Sequence, residues 1–184
     1  MGLFGLFRRK PHERQGFALY TAAVQAARHP AFFSRLGVPD TLDGRFDLIG
    51  LHVGLLIRRL HRDADPRGPA LAQAVFDAMF ADMDFSLREM GVGDMSIARR
   101  MKNMWEAFNG RAQAYEASLA AGDRAALAAA LARNVWRGGK PADAPEVMRL
   151  ADLTMATEAA LATQALGSLL QGVAQFPAPE EEAA

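Results

Sequence analysis

FDAMFADMDFSLREMGVGDMSIARRMKNMWEAFNGRAQAY, residues 76 to 115, carries two helical patterns back to back and sets the class of the whole chain. In its first half Phe76, Met79, Phe80, Met83 and Leu87 recur at three- and four-residue steps, the spacing that places apolar side chains on one face of a helix. Gly91 and Gly93 stop that helix, because glycine enters the left-handed cap at little cost, and Asp94 or Ser96 is expected to cap the next. In the second half Ile97, Met101, Met104, Phe108, Ala112, Tyr115 and Leu119 form a stripe, with Trp105 widening its edge. A corner this short predicts two antiparallel helices.

The rest of the chain agrees with a helical class. Glu13 to Arg28 reads as a helix closed by His29-Pro30, and Ala31 to Leu36 as a short helical turn. Arg45 to Arg62 is apolar nearly all round and leaves on a basic end, Arg58, Arg59, His61 and Arg62, which suits its own dipole. Asp63 to Pro69 breaks the pattern, and the hairpin begins at Ala70. Gly122-Asp123 opens a helix over Arg124 to Trp136, ended by Gly138-Gly139, and one last helix is expected from Ala144 to Val173. With no strand-length alternation and no repeat, the expected fold is all-α: a single compact helical domain built around the central antiparallel hairpin. Residues 1–11 are expected to be a flexible apolar and basic segment, 12–176 the helical domain and 177–184 an acidic disordered tail.

Composition removes several kinds of function. The 184 residues hold no cysteine, so disulfides, thiolate metal sites and thiol nucleophiles are excluded together. Lysine plus arginine equals aspartate plus glutamate, 21 each, so no global field attracts DNA. The apolar run from Phe46 to Ile57 is about half the length a bilayer requires, and that from Ala159 to Pro179 is interrupted by Thr163, Gln164, Ser168, Gln171 and Gln175. Neither reads as a membrane span. The start, MGLFGLFRRK, puts apolar residues before basic ones, the reverse of a secretory signal. Leu3, Phe4 and Phe7 with Arg8, Arg9 and Lys10 suit shallow contact with a membrane surface.

No catalytic group assembles from the pattern. His12, His29, His52 and His61 lie apart, the last two on opposite sides of one helix, and no Glu-x-x-His pair exists, so no metal or cofactor is expected. In an antiparallel hairpin Asp77 comes level with Phe108 and Arg111, and Asp84 with Arg100 and Met101, which predicts ion pairs across it. Methionine is adaptable, and six of the nine fall between Met79 and Met104. Met79, Met83, Met90, Met95 and Met104, with Arg99 and Arg100, are therefore the candidates for contact with a partner chain, Met90 and Met95 at the corner foremost. Core packing is the competing use of Met79, Met83, Met101 and Met104. Arg58, Arg59, Arg62, Arg99, Arg100 and Lys102 are basic-patch candidates whose commoner meaning is a solvated helix face.

The hairpin, with LHVGLLIRRL before it and LARNVW after it, resembles the ubiquinol-cytochrome c chaperone family over roughly residues 15 to 140. FD, LRE, the GVGD corner and GRAQAY follow in matching order. The residues that carry the pattern are Phe76, Asp77, Asp84, Leu87, Arg88, Glu89, Gly91, Asp94, Gly110 and Tyr115. The resemblance implies a non-enzymatic assembly chaperone of the ubiquinol-cytochrome c reductase complex whose client is newly made cytochrome b. It further implies a small partner protein or the ribosome as neighbours. Without a leader before the matching region the chain reads as a bacterial member, cytoplasmic or peripheral at the inner membrane. The rival expectation is an all-α enzyme or small-ligand binder built from Asp77, Asp84, Arg88 and Arg111, which would require a deep polar pocket around those side chains.

Overall fold

In a computed structural model that describes residues 12–179, α4 (Arg67–Glu89) packs most extensively on α1 (Glu13–Ala27) and α3 (Leu42–His61). The contact between α1 and α4 is close because Gly16 lies against Ala74, where a Cβ would come within 2.5 Å of the Ala74 backbone. Higher up the pair, Tyr20 donates to Asp82 at 2.7 Å. A short α2 (Ala31–Ser34) carries Phe32 into the core beside α3. The chain then returns along α5 (Asp94–Ala121), α6 (Arg124–Val135), α7 (Pro145–Ala162) and the one-turn α8 (Leu166–Leu169). α6 and α7 pack on each other, and α7 also reaches α3. The described residues contain no strand, so the all-α expectation holds.

The ends of the helices follow from local chemistry. Thr41 accepts from the Gly44 amide at 3.1 Å and starts α3 earlier than its apolar run suggests. α4 likewise begins before Ala70, because Pro69 sits in the first turn, where its missing N–H is not needed. At the other end of α4, Gly91 takes φ +75°, with Val92 N–H bonded to the Leu87 carbonyl at 3.1 Å and Gly91 N–H to that of Arg88 at 2.9 Å. Gly93, not Asp94 or Ser96, caps α5; Asp94 is its first residue and makes no cap hydrogen bond. The carboxylate accepts from Arg88 instead, at 2.9 Å.

Two expectations about packing are corrected. The α4–α5 pair does meet, through Phe76 and Phe80 against Phe108 with ring centroids 5.9 and 6.5 Å apart, but it is not the centre of the domain. α4 turns its fully buried side chains, Leu71, Ala72, Val75 and Met79, into the three-helix layer with α1 and α3. On α5 only Ile97, Phe108, Tyr115 and Ser118 are buried, and Trp105 remains 49% exposed. The single last helix is divided at residues 163–165. Arg59 takes the carbonyls of Leu161 and Gln164, at 3.1 and 2.9 Å, which satisfies the end of α7. The Gln164 amide is bonded both ways to the backbone of Gln175, at 2.7 and 2.9 Å, and holds the following chain as a strap across the domain.

That strap brings Phe176 to the His52 ring, 5.7 Å between centroids, where Phe32 also meets it at 5.5 Å. Pro177, Ala178 and Pro179 continue beside Ala31, Leu36 and Leu153. The membrane-contact candidates Leu3 to Lys10 and the glutamates of residues 180–182 lie outside the described residues. No helix of the described residues is long and apolar enough to cross a membrane.

Candidate functional site

Between the start of α3, the end of α4 and the first half of α5 runs an open groove of about 590 Å³. Apolar side chains from three helices and a helix cap line it: Leu42, Phe46 and Ile49 from α3, Met83 and Leu87 from α4, Met90 capping α4, and Met104 from α5. It ends beside the Gly91 corner. Away from the groove, α5 meets α4 through Phe108 against Phe76 and Phe80, and Met104 packs partly against the core.

One side of its rim is fixed by a buried ion cluster. The side chain of Asp47, 0% exposed, lies 2.7 Å from Arg111 on α5 and 2.9 Å from Arg137 after α6, so one carboxylate of α3 holds two other segments. Burial pushes the Asp47 carboxyl up to about 6, against the lowering pull of Arg111 and then Arg137. Arg111 also lies over the Phe46 ring at 5.7 Å. Burial likewise raises the Tyr115 phenol to about 12.

The candidates sort by exposure. Met79 is 0% exposed and packs in the core of the folded chain, whereas Met83, though nearly sealed, borders the groove. Met104 is half-buried there. Met90 and Met95 are 53% and 96% exposed, and of the two Met90 lines the groove. Arg99 and Arg100 are exposed and form no ion pair among the described residues, and Arg100 stands on the groove rim. Lys102 pairs with Glu106 at 3.7 Å.

The expected ion pairs across the hairpin do not form as drawn. Asp84 pairs with Arg88 on its own helix at 2.7 Å, Asp77 accepts from Gln73 on its own helix at 2.8 Å, and Arg111 turns to Asp47. Asp77, Asp84, Arg88 and Arg111 therefore do not converge, and of the four only Arg111 borders the groove. The deep polar pocket needed by the enzyme reading is not formed by them. Among the described residues no cluster of acidic or histidine side chains could hold a metal ion. Among the other pattern residues Leu87 and Tyr115 are buried, Phe76 half-buried, and Glu89, Gly91, Asp94 and Gly110 exposed. Reading the sequence missed the α3 wall and Asp47. The available signal was a lone carboxylate at the head of the most apolar run in the chain.

Comparison with known proteins places these residues in context. A family model described as Ubiquinol-cytochrome C chaperone matches residues 34–176. The chain is 28% identical over 132 residues to ubiquinol-cytochrome-c reductase complex assembly factor 1 of Xenopus laevis, covering 72% of this chain and 64% of that protein. It is 28% identical over 119 residues to the factor of the same name from Mus musculus, covering 65% of this chain and 38% of the relative. The chain thus spans under two thirds of the length of these relatives, both named as assembly factors. The crystal structure of the Cbp3 homolog from Brucella abortus is similar over 90% of both chains, with a TM-score of 0.80 and 35% identity.

Proposed function

The chain belongs to the ubiquinol-cytochrome C chaperone family, and from that premise we propose that it is an assembly chaperone of ubiquinol-cytochrome c reductase that holds newly made cytochrome b. The observation that carries the reading is the groove of Leu42, Phe46, Leu87, Met90 and Met104 beside the Gly91 corner. A shallow, largely apolar channel edged by methionine suits an apolar segment of another chain and can adapt to its shape. A reaction would need converging groups, which the dispersed Asp77, Asp84, Arg88 and Arg111 do not provide.

The protein would work at the inner face of the membrane, where cytochrome b is inserted. Leu3, Phe4 and Phe7 with Arg8, Arg9 and Lys10 are proposed to add a weak peripheral contact. Deleting residues 1 to 10 should reduce sedimentation with liposomes, and unchanged binding removes that element. The main test is genetic. Loss of the gene should lower spectroscopically assembled cytochrome b and reductase activity together, whereas normal levels of both would defeat the proposal. Photo-crosslinkers at positions 90 and 100 should capture cytochrome b in cells.

A further inference from the structure

The groove assigned above to the client is apolar at its floor but charged along its rim. Arg28, Arg45, Arg100, Arg111 and Arg137 border it. Most of that charge is answered locally. Arg45 is held by Asp40 at 2.6 Å, and Arg111 and Arg137 share Asp47, with Asp43 3.6 Å from Arg137. Asp82 of α4 also borders the groove and accepts from the Tyr20 hydroxyl, and Arg28, after α1, has no ion pair among the described residues. The positive charges left over are Arg28 and Arg100, both exposed with no ion pair among the described residues, and of the two it is Arg100 that stands on α5 with Met104.

A wholly apolar occupant would strip water from this guanidinium and return nothing, a cost that grows as the charge is covered. A basic occupant would meet repulsion from the unpaired Arg28 and Arg100. An occupant with a carboxylate near Met90 would regain a charge-assisted hydrogen bond at the same place. The apolar wall made by the end of α4 and its cap, from Met83 to Met90, spans about two helical turns, which matches the two-turn anchor pattern of a helix lying in a groove. We propose that the groove takes an apolar helix of a partner chain bearing a carboxylate that pairs with Arg100, and so selects acidic over basic amphipathic segments. This rests on the groove being the client site.

The test uses the full chain and three labelled peptides of about 18 residues, long enough to be helical, with one leucine stripe flanked by Glu, Gln or Lys at the same positions. Fluorescence anisotropy should rank Glu over Gln over Lys, with roughly tenfold between the first two, a gap that narrows in high salt. Arg100→Glu should invert the order, and Met90→Glu, at an exposed position, should weaken the Glu and Gln peptides. Equal affinities for the wild type, still weakened by Met90→Glu, overturn the charge selection and leave the groove reading standing. Failure of Met90→Glu to weaken any peptide overturns the groove reading itself. If instead Arg100→Glu abolishes binding to anionic phosphatidylglycerol vesicles while the peptides are not distinguished, Arg100 serves lipid phosphate and the proposal fails.

Discussion

Asp47 and His52 lie little more than one turn apart on α3, and burial drives their titrations in opposite senses for stability. Folded Asp47 keeps its proton up to about 6, where an unfolded aspartate has lost it. Its contribution is complete below about pH 4 and is lost as the pH rises through about 6. His52, in contact with two phenylalanine rings and hydrogen-bonded through Nδ1 to the Leu48 carbonyl at 2.8 Å, is held down to about 4 by burial. Its contribution is complete above the ordinary histidine value of about 6.5 and is lost as the pH falls through about 4. Each is at most roughly 3 kcal/mol, so over the shared window the two oppose each other. Urea unfolding of Asp47→Asn should therefore show stability rising with pH between about 4 and 6, relative to the wild type, and His52→Leu should show it falling. Identical slopes in both variants would sink the assignment. The isolated Asp47 was visible in the apolar run, but its two arginines come from segments far along the chain, and no local pattern links them.

Helix faces were readable because each pattern repeats within one helix; helix partners were not, because periodicity says which side is apolar and not what covers it. α4 illustrates the point. Its stripe was legible, yet the closest approach is made by Gly16 of α1, a residue with no apolar side chain to count. Gly16→Ala would force a Cβ into the Ala74 backbone and should cost about 1–3 kcal/mol as overpacking, read as a lower thermal midpoint. Gly110 on α5 offers the opposite case. A Cβ there meets nothing within 4 Å, so Gly110→Ala should raise stability by up to about 1 kcal/mol through helix propensity. Nothing in the packing of α5 explains a glycine at 110. The break between α7 and α8 was hidden for a related reason, since it is made by Gln164 reaching Gln175 and by Arg59 reaching in from α3.

The domain is joined across its layers by arginines that looked, in sequence, like a cationic end of α3. The buried Arg58 bonds Glu116 on α5 and, at 3.3 Å, Glu158 on α7, with Arg62 on the same two carboxylates. A run of basic residues could be read; that it reaches two other helices could not. Replacing both carboxylates, Glu116→Gln with Glu158→Gln, strands a buried guanidinium and should cost about 3 kcal/mol in urea unfolding. Arg58→Met removes the buried charge and leaves the glutamates to Arg62 and water, so it should stay within about 1 kcal/mol of the wild type. Equal losses in the two variants would show that packing, not charge, holds the layers together. The segment after α8 has a consequence of its own. Because Gln164 pins Gln175 and Phe176 closes over the imidazole of His52, those few residues act as a stopper on the interior. A chain cut after Ala174 should let water reach that ring, and its NMR resonances should then move with acidity near 6.5, as those of a surface histidine do.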